Sequence, residues 1–375
     1  MLAISNQVFS EAGGFVKDWL KNPLNASFFY WYFLPALGLV LLQAFFVWPL
    51  RGHETPRILP PGGGQPETFA ALLYQILNAR LFELIVVPLL MAVGLSALAG
   101  SILRLYQGDL PGVAILFRPA LMRKRENSAE LYSELATKRR AYFFLVSRGV
   151  QFRIVEGNEI AEEVSASDCD KLIEQLKAEI QELHEKFEQT GVGRELPINP
   201  ERVGATNLAN VLAVAEEYPF ERYSVDTAVF WPRFSAEIEP QKLETLTSTF
   251  GAMNGFLNLS LLSYLFAIEC LVLAIGFMTG RLDSARAQVR PAWLVLAIPL
   301  FALAGFAFYR AATRTARAVG NDLRTAFDYY RGQVLRRFNL RLPKDIEEER
   351  VLWLKLAAYI RRGESFYYPS EYRIE

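Results

Sequence analysis

Phe256–Met278 reads FLNLSLLSYLFAIECLVLAIGFM. At about 1.5 Å of rise per residue, a helix of this length crosses a hydrocarbon core of roughly 30 Å. Near its middle stands one carboxylic acid, Glu269, with no basic residue in the same apolar run. An ionisable side chain at that depth costs at least a few kcal/mol unless it is paired, protonated or facing water. The stretch marks an integral membrane protein with one costly residue inside a span.

Further apolar runs lie on both sides of it. Pro291–Ala311 follows closely and carries Pro299 with the small residues Ala302, Ala304, Gly305 and Ala307. Phe28–Leu50 has an aromatic cluster (Phe28, Phe29, Tyr30, Trp31, Tyr32) at one end and Trp48 at the other. Such rings favour the headgroup level of a bilayer. Its polar member, Gln43, is a candidate hydrogen-bond partner for Glu269, as is Ser96 of the run Leu81–Leu103. Leu81–Leu103 places Ala92, Ser96 and Gly100 at four-residue intervals, a face that another helix can approach closely. Glu83, near the outer end of that run, can reach the interface and is a weaker functional candidate than Glu269.

These runs predict a mainly α integral membrane protein. Two transmembrane helical hairpins, 28–103 and 254–311, are separated by a mostly helical cytoplasmic domain, 104–253, that carries a small β-hairpin. An interfacial segment, 1–27, precedes them, and cytoplasmic helices, 312–375, follow. In the first segment Val8, Phe15, Val16, Trp19 and Leu20 recur at roughly helical spacing beside Lys17 and Lys21. A frayed terminus is the competing expectation there. The Pro- and Gly-rich connection Arg51–Glu67 reads as an irregular extracytoplasmic loop.

Composition agrees with that class. The 375 residues are 52% hydrophobic and 13% aromatic, too apolar for an ordinary soluble protein. Yet 21% are charged, which requires a sizeable water-facing part. A formal net charge of zero gives no reason to expect nucleic acid as a partner. Cys169 and Cys270 fall in a polar region and in a span, so no disulfide framework is indicated. Two histidines, His53 and His184, offer little for a metal site, and no cofactor is expected.

Basic residues set the expected orientation. Arg118, Arg123, Lys124 and Arg125 follow the second run, and Arg310, Arg314, Arg317, Arg324 and Arg331 follow the fourth. The loop after the first run has Arg51 and Arg57, although Arg281, Arg286 and Arg290 weigh the other way after the third. Positive flanks therefore place 104–253 and both termini in the cytoplasm, with the chain in a plasma membrane.

Within 104–253, Ala141–Glu156 is aromatic and β-branched around Arg148-Gly149 and reads as a β-hairpin. A continuous helix from Ser128 competes with it. Asp168–Thr190 is an amphipathic helix with Leu172, Leu176, Ile180, Leu183 and Phe187 on one face. At about three heptads it suits one arm of an intramolecular hairpin better than a coiled-coil dimer. Gly204–Phe234 combines an apolar helical run with polar groups of both signs, among them Asn210, Glu217, Arg222, Asp226, Trp231 and Arg233. Opposite charges beside Tyr and Trp can satisfy one another when shielded from water, which predicts a buried locking network. A ligand or partner pocket is the alternative. Pro219 and Pro232 are expected to divide the segment into short units.

The pattern T-x-L-x-N-V-L-x-x-A-E-x-Y-P-x-E-R-Y-x-x-D-x-x-x-x-W-P-R in that segment resembles uncharacterised bacterial four-span membrane proteins. In those a Gly is expected where this chain has Ala209. The resemblance extends loosely to Asp328-Tyr329-Tyr330-Arg331 and Glu348-Glu349-Arg350. It implies the topology and a bacterial inner membrane, and it implies no chemistry.

Past the fourth run, Leu323, Phe327, Tyr330, Val334 and Phe338 alternate with arginines in a basic amphipathic helix. Asp345 is a fitting N-cap for a last helix ending near Arg362. The aromatic tail Glu364–Glu375 suggests docking onto its own domain or onto a partner. Motif searches for enzymes find little: no Gly-rich loop ending in Lys-Ser or Lys-Thr, no H-E-x-x-H, no G-x-S-x-G and no paired C-x-x-C. Asp168 and Asp170 form a D-x-D, but acids at a helix start are usually caps.

Two non-enzymatic roles remain. The first is a subunit or scaffold of a membrane complex, anchored by its spans and docking through its cytoplasmic helices. The second is an oligomeric ion-conducting channel or membrane effector with Glu269 facing the pore. In either case membrane lipid and further copies or other subunits are the expected partners.

Overall fold

The computed structural model describes residues 28–47, 81–110, part of 119–145, 155–156, 159–160, 166–189, 193, 196–282, 293–366 and 373. They group into two units, one built from Leu105–Leu246 and Arg317–Glu375 and the other from Asn6–Arg104 and Thr247–Ala316. We call these the helical unit and the apolar unit.

The apolar unit begins with α1 (Leu34–Leu42), flanked by π-helical turns at Phe29–Phe33 and Gln43–Val47. It continues through α2 (Leu81–Ala97) into α3 (Ala99–Gln107). Two longer helices, here α7 (Pro240–Met278) and α8 (Trp293–Arg337), contribute residues to both units. Both are long and apolar enough to cross a membrane, with mean hydropathy of 2.2 and 1.9 in their apolar windows. Only 33% and 17% of those windows is buried within the protein. Leu265, Ile268, Val272 and Ile275 on α7 and Leu296, Leu300 and Leu303 on α8 stay exposed. Water does not tolerate apolar faces of that extent, whereas hydrocarbon does.

The expected second span is not one straight helix. Ile85–Ala97 and Ala99–Gln107 meet at an angle of 60°, so the described residues hold two spanning helices, or three if the bent pair counts as one. The Gly100-Ser101 pair follows the break, and sharp bends concentrate at such pairs. In the first run the apolar helix Phe29–Leu42 is shorter than a full span, and Trp48 lies outside the described residues.

Small residues set the packing of this unit. Gly251 and Gly255 of α7 lie one turn apart under the indole of Trp31. A Cβ at Gly255 would come within 2.5 Å of the Trp31 ring, and one at Gly251 within 2.9 Å. Asn258, one turn further on, donates from Nδ2 to the Trp31 carbonyl at 3.1 Å. Gly251-x-x-x-Gly255 is therefore a close-approach face of the kind small residues provide between membrane helices. Between α7 and α8, Ser260 Oγ donates to the Gly305 carbonyl at 2.8 Å, with the Tyr264 ring against Gly305. Val40 and Ala44 are buried against Met91 of α2.

The helical unit contains an antiparallel pair formed by helical residues 132–142 and α4 (Ala166–Gln189). Leu183 packs with Leu135 and Leu176 with Tyr142 and Leu145, so the apolar stripe of α4 faces an arm of its own chain. Lys138 and Glu179 bridge the pair at 2.7 Å. The expected turn at Arg148-Gly149 lies outside the described residues, but Tyr142 and Leu145 before it are helical. The strand pairing falls later: β1 (Val155–Glu156) and β2 (Glu159–Ile160) form a two-residue antiparallel ladder.

Three helices and the end of α8 complete the unit. α5 (Asn207–Tyr223) starts at the Thr206 cap, whose Oγ1 accepts the Ala209 N–H at 3.1 Å. It ends at Ser224, which adopts a left-handed φ of 58°. Asp226 then caps α6 (Thr227–Glu237), accepting the Ala228 N–H at 3.0 Å. Pro219 and Pro232 thus lie inside α5 and α6, and the break falls at Ser224–Asp226 instead. The Thr206 and Asp226 side chains satisfy the first free amides of the two helices, and left-handed Ser224 ends the first, so capping marks these boundaries. α9 (Ile346–Arg362) begins at the Asp345 cap, where Oδ1 accepts the Glu347 N–H at 2.8 Å. Beyond it, Arg373 of the tail pairs with Leu340.

Candidate functional site

The apolar unit joins the two polar residues singled out in its apolar runs. Gln43 opens the second π-helical turn, and its Nε2 donates to Glu269 Oε2 on α7. π-helical turns inside α-helices frequently mark functional positions, because the widened turn re-aims a side chain. Glu269 is half-buried, beside the fully buried Cys270 and the core residues Phe266 and Leu273. Of the proposed small-residue face, Ala92 is fully buried, Ser96 is half-buried, and Gly100 belongs to α3 past the 60° bend. The three therefore do not form one continuous stripe.

In the helical unit, Asn210, Glu217, Asp226 and Trp231 have structural partners. Asn210 is 1% exposed and accepts the Gly204 N–H through Oδ1 at 2.7 Å. That bond folds Gly204 so tightly onto α5 that a Cβ there would lie 2.4 Å from the Ala209 side chain. Glu217 accepts the N–H groups of Ile198 at 2.7 Å and Asn199 at 3.1 Å, tying the 3₁₀ turn Pro200–Arg202 to α5. Asp226 pairs with Arg361 of α9 at 2.5 Å besides its capping role. Trp231 is buried, with its ring 6.1 Å from that of Phe327.

Arg222 and Arg233 are different. Both are exposed. The Arg222 carbonyl accepts from Arg350 Nε at 3.0 Å, and Arg233 donates Nη1 to the Val229 carbonyl one turn back at 2.8 Å.

A second cluster in this unit links the segment 204–234 to α8 and α9. Asp328 of α8 accepts the hydroxyls of Tyr223 at 2.6 Å and Tyr218 at 3.0 Å. One turn on, Arg331 donates Nη1 to the Asp328 carbonyl and pairs through Nε with Glu349 of α9 at 3.1 Å. Its guanidinium also stacks 4.6 Å from the Tyr223 ring. Glu349 is 2% exposed and takes a further hydrogen bond from Trp353 Nε1 at 3.1 Å. Trp353 meets Phe230 edge-to-face at 4.8 Å, and Phe234 lies 4.4 Å from Phe327. A buried carboxylate with two charge-assisted donors is favourable, whereas one left unpaired is costly.

Electrostatics follow from this burial. Desolvation, reinforced by nearby Glu221, raises the Glu217 carboxyl from 4.5 to about 7 against the pull of its two amide donors. Burial and the hydrogen bond to Asp328 push the Tyr223 hydroxyl upward. Burial, then the Asp328 charge, does the same at Tyr218.

Asp328, Arg331, Glu349 and Trp353 were not selected from the sequence as site residues. Asp328, Arg331 and Glu349 do lie within the short motifs Asp328-Tyr329-Tyr330-Arg331 and Glu348-Glu349-Arg350, where unlike charges beside aromatic residues were the available signal. No group of three or more His, Cys, Asp or Glu residues able to hold a metal ion occurs among the described residues. No known protein-family model, curated protein or solved structure matches this chain.

Proposed function

We propose that the chain is a non-enzymatic, multi-pass membrane protein that serves as a subunit or scaffold of a membrane complex. Its apolar helices anchor it, and the helical unit presents the docking surface. In this reading it has four spans in a bacterial inner membrane, with residues 104–253 and both termini in the cytoplasm. Partners are membrane lipid and other subunits or further copies.

The observation that carries the proposal is the Gln43–Glu269 hydrogen bond between helices of one chain. The acid inside the span then serves as an interhelical tie, the ordinary use of a polar side chain in hydrocarbon. In the helical unit, Asp328 and Glu349 likewise direct their oxygens at donors of their own chain. Such a body is suited to holding a fixed surface.

The channel reading rests on the same acid. It requires Glu269 to face water in a symmetric assembly. The mass of the particle extracted from its native membrane in mild detergent separates the two. A stoichiometric complex with other chains is expected. A lone monomer would refute the scaffold proposal, and a closed homo-oligomer whose cation flux disappears in Glu269→Gln would replace it with a channel.

A further inference from the structure

The exposed side chains of α8 form a continuous line that changes character along the helix. Leu296, Leu300, Leu303 and Phe306 are 73%, 61%, 65% and 50% exposed. Arg310 and Arg314 follow and are also exposed. Successive members are three or four residues apart, so all six share one helix face. Arg317, also exposed, continues it by a further turn. From Leu296 to Arg310 the rise is about 21 Å along the axis at ~1.5 Å per residue. The two guanidinium groups therefore sit just past the end of the apolar face and on its lipid-facing side. Neither Arg310 nor Arg314 has an ion-pair partner among the described residues.

Carboxylates of this chain take up some of its other arginines. Arg337 meets Glu237 at 2.7 Å, Arg331 meets Glu349, and Arg350 meets Glu347 at 3.0 Å. A face that is hydrocarbon-compatible for several turns and then bears unpaired cations matches one ligand in both halves. That ligand has acyl chains lying along Leu300, Leu303 and Phe306 and a phosphodiester at the height of the arginines. Guanidinium binds phosphate oxygens in a bidentate fork, and juxtamembrane basic residues are attracted to anionic leaflets. We infer that Arg310 and Arg314 form a headgroup site for anionic phospholipid on the lipid-facing side of α8. The site rests on α8 spanning a bilayer, as proposed above.

The test titrates fluorescently labelled phosphatidylglycerol into the full-length protein in neutral detergent micelles. Substituting both residues, Arg310→Gln with Arg314→Gln, should weaken binding about thirtyfold, from about 1 kcal/mol for each basic residue at an anionic surface. Arg310→Lys with Arg314→Lys should keep most of the affinity, and Arg233→Gln, an exposed arginine elsewhere, should keep all of it. Unchanged affinity in the double Gln variant would overturn the site, as would equal weakening by Arg233→Gln. Displacement of the lipid by millimolar inorganic phosphate would reassign it to a soluble anion. If α8 did not span a bilayer, Leu300→Cys would react with a membrane-impermeant maleimide in phosphatidylcholine vesicles; loss of the headgroup site alone leaves that position protected.

Discussion

Trp353→Ala is expected to destabilise the helical unit by about 3–5 kcal/mol, the range for deleting a fully buried large aromatic. Trp353 is 0% exposed and packs on Phe230 at 4.8 Å and Phe234 at 6.0 Å. Its indole N–H also supplies one of the donors to the buried Glu349 carboxylate. Alanine leaves a cavity among the aromatic residues and takes that donor away. The second loss is partial, because Arg331 still donates to the Glu349 carboxylate. Amide hydrogen exchange along α9 in the solubilised protein should accelerate more than about a hundredfold, at ~1.4 kcal/mol per factor of ten. Trp353→Phe separates the causes: ring volume is largely kept, so only the hydrogen-bond share should be lost. Unchanged exchange in the alanine variant would show that the aromatic cluster does not hold α9.

Glu217→Gln is expected to change how stability responds to pH. With its folded pKa raised from 4.5 to about 7, Glu217 holds its proton more tightly in the folded chain than in the unfolded one. The sign follows from linkage. Its contribution to stability is fully present below about pH 4.5 and is lost progressively as pH rises to about 7. A shift of that size corresponds to at most about 3.5 kcal/mol at ~1.4 kcal/mol per unit. Glutamine cannot ionise, but its amide nitrogen cannot accept one of the two backbone N–H groups that the carboxyl oxygens accept from Ile198 and Asn199. Near pH 5 the variant should therefore unfold at a lower denaturant concentration than the wild type, and the gap should narrow as pH rises to 8 and the wild type loses the contribution of protonated Glu217. Parallel pH profiles would mean that the Ile198 and Asn199 amides hold Glu217 as an anion after all.

What the sequence made legible, and what it did not, divides by the range of the physics. The apolar lengths of α7 and α8, the stripe on α4 and the Asp345 cap with an end at Arg362 are all local patterns. Periodicity and capping chemistry encode them within a few turns. The bend after Ala97 is also local, yet the apolar pattern runs straight through it, and only Gly100-Ser101 hinted at a break. The Gly251-x-x-x-Gly255 face was written in the sequence too. It lies before the most apolar part of α7, whereas attention fell on Ala92, Ser96 and Gly100.

The polar core of the helical unit was half legible. The 204–234 segment announced itself by composition, but the partners that complete it are distant in sequence. Tyr223 and Asp328 are separated by 105 residues, and Arg350 reaches the Arg222 carbonyl across 128. Charge and aromaticity can mark such residues; only the fold pairs them. Gln43 and Glu269, separated by 226 residues, are the more legible case: a lone acid in an apolar run requires a partner, and Gln43 and Ser96 were the polar groups on other runs that could supply it.

Sided labelling of single cysteines tests the membrane arrangement most directly. In a background of Cys169→Ser and Cys270→Ser, Gly63→Cys and Gly191→Cys are each exposed to a membrane-impermeant maleimide in right-side-out vesicles. The four-span arrangement predicts labelling at position 63 in intact vesicles and at position 191 only after permeabilisation. Labelling of both positions from outside, or the reverse order, would contradict it.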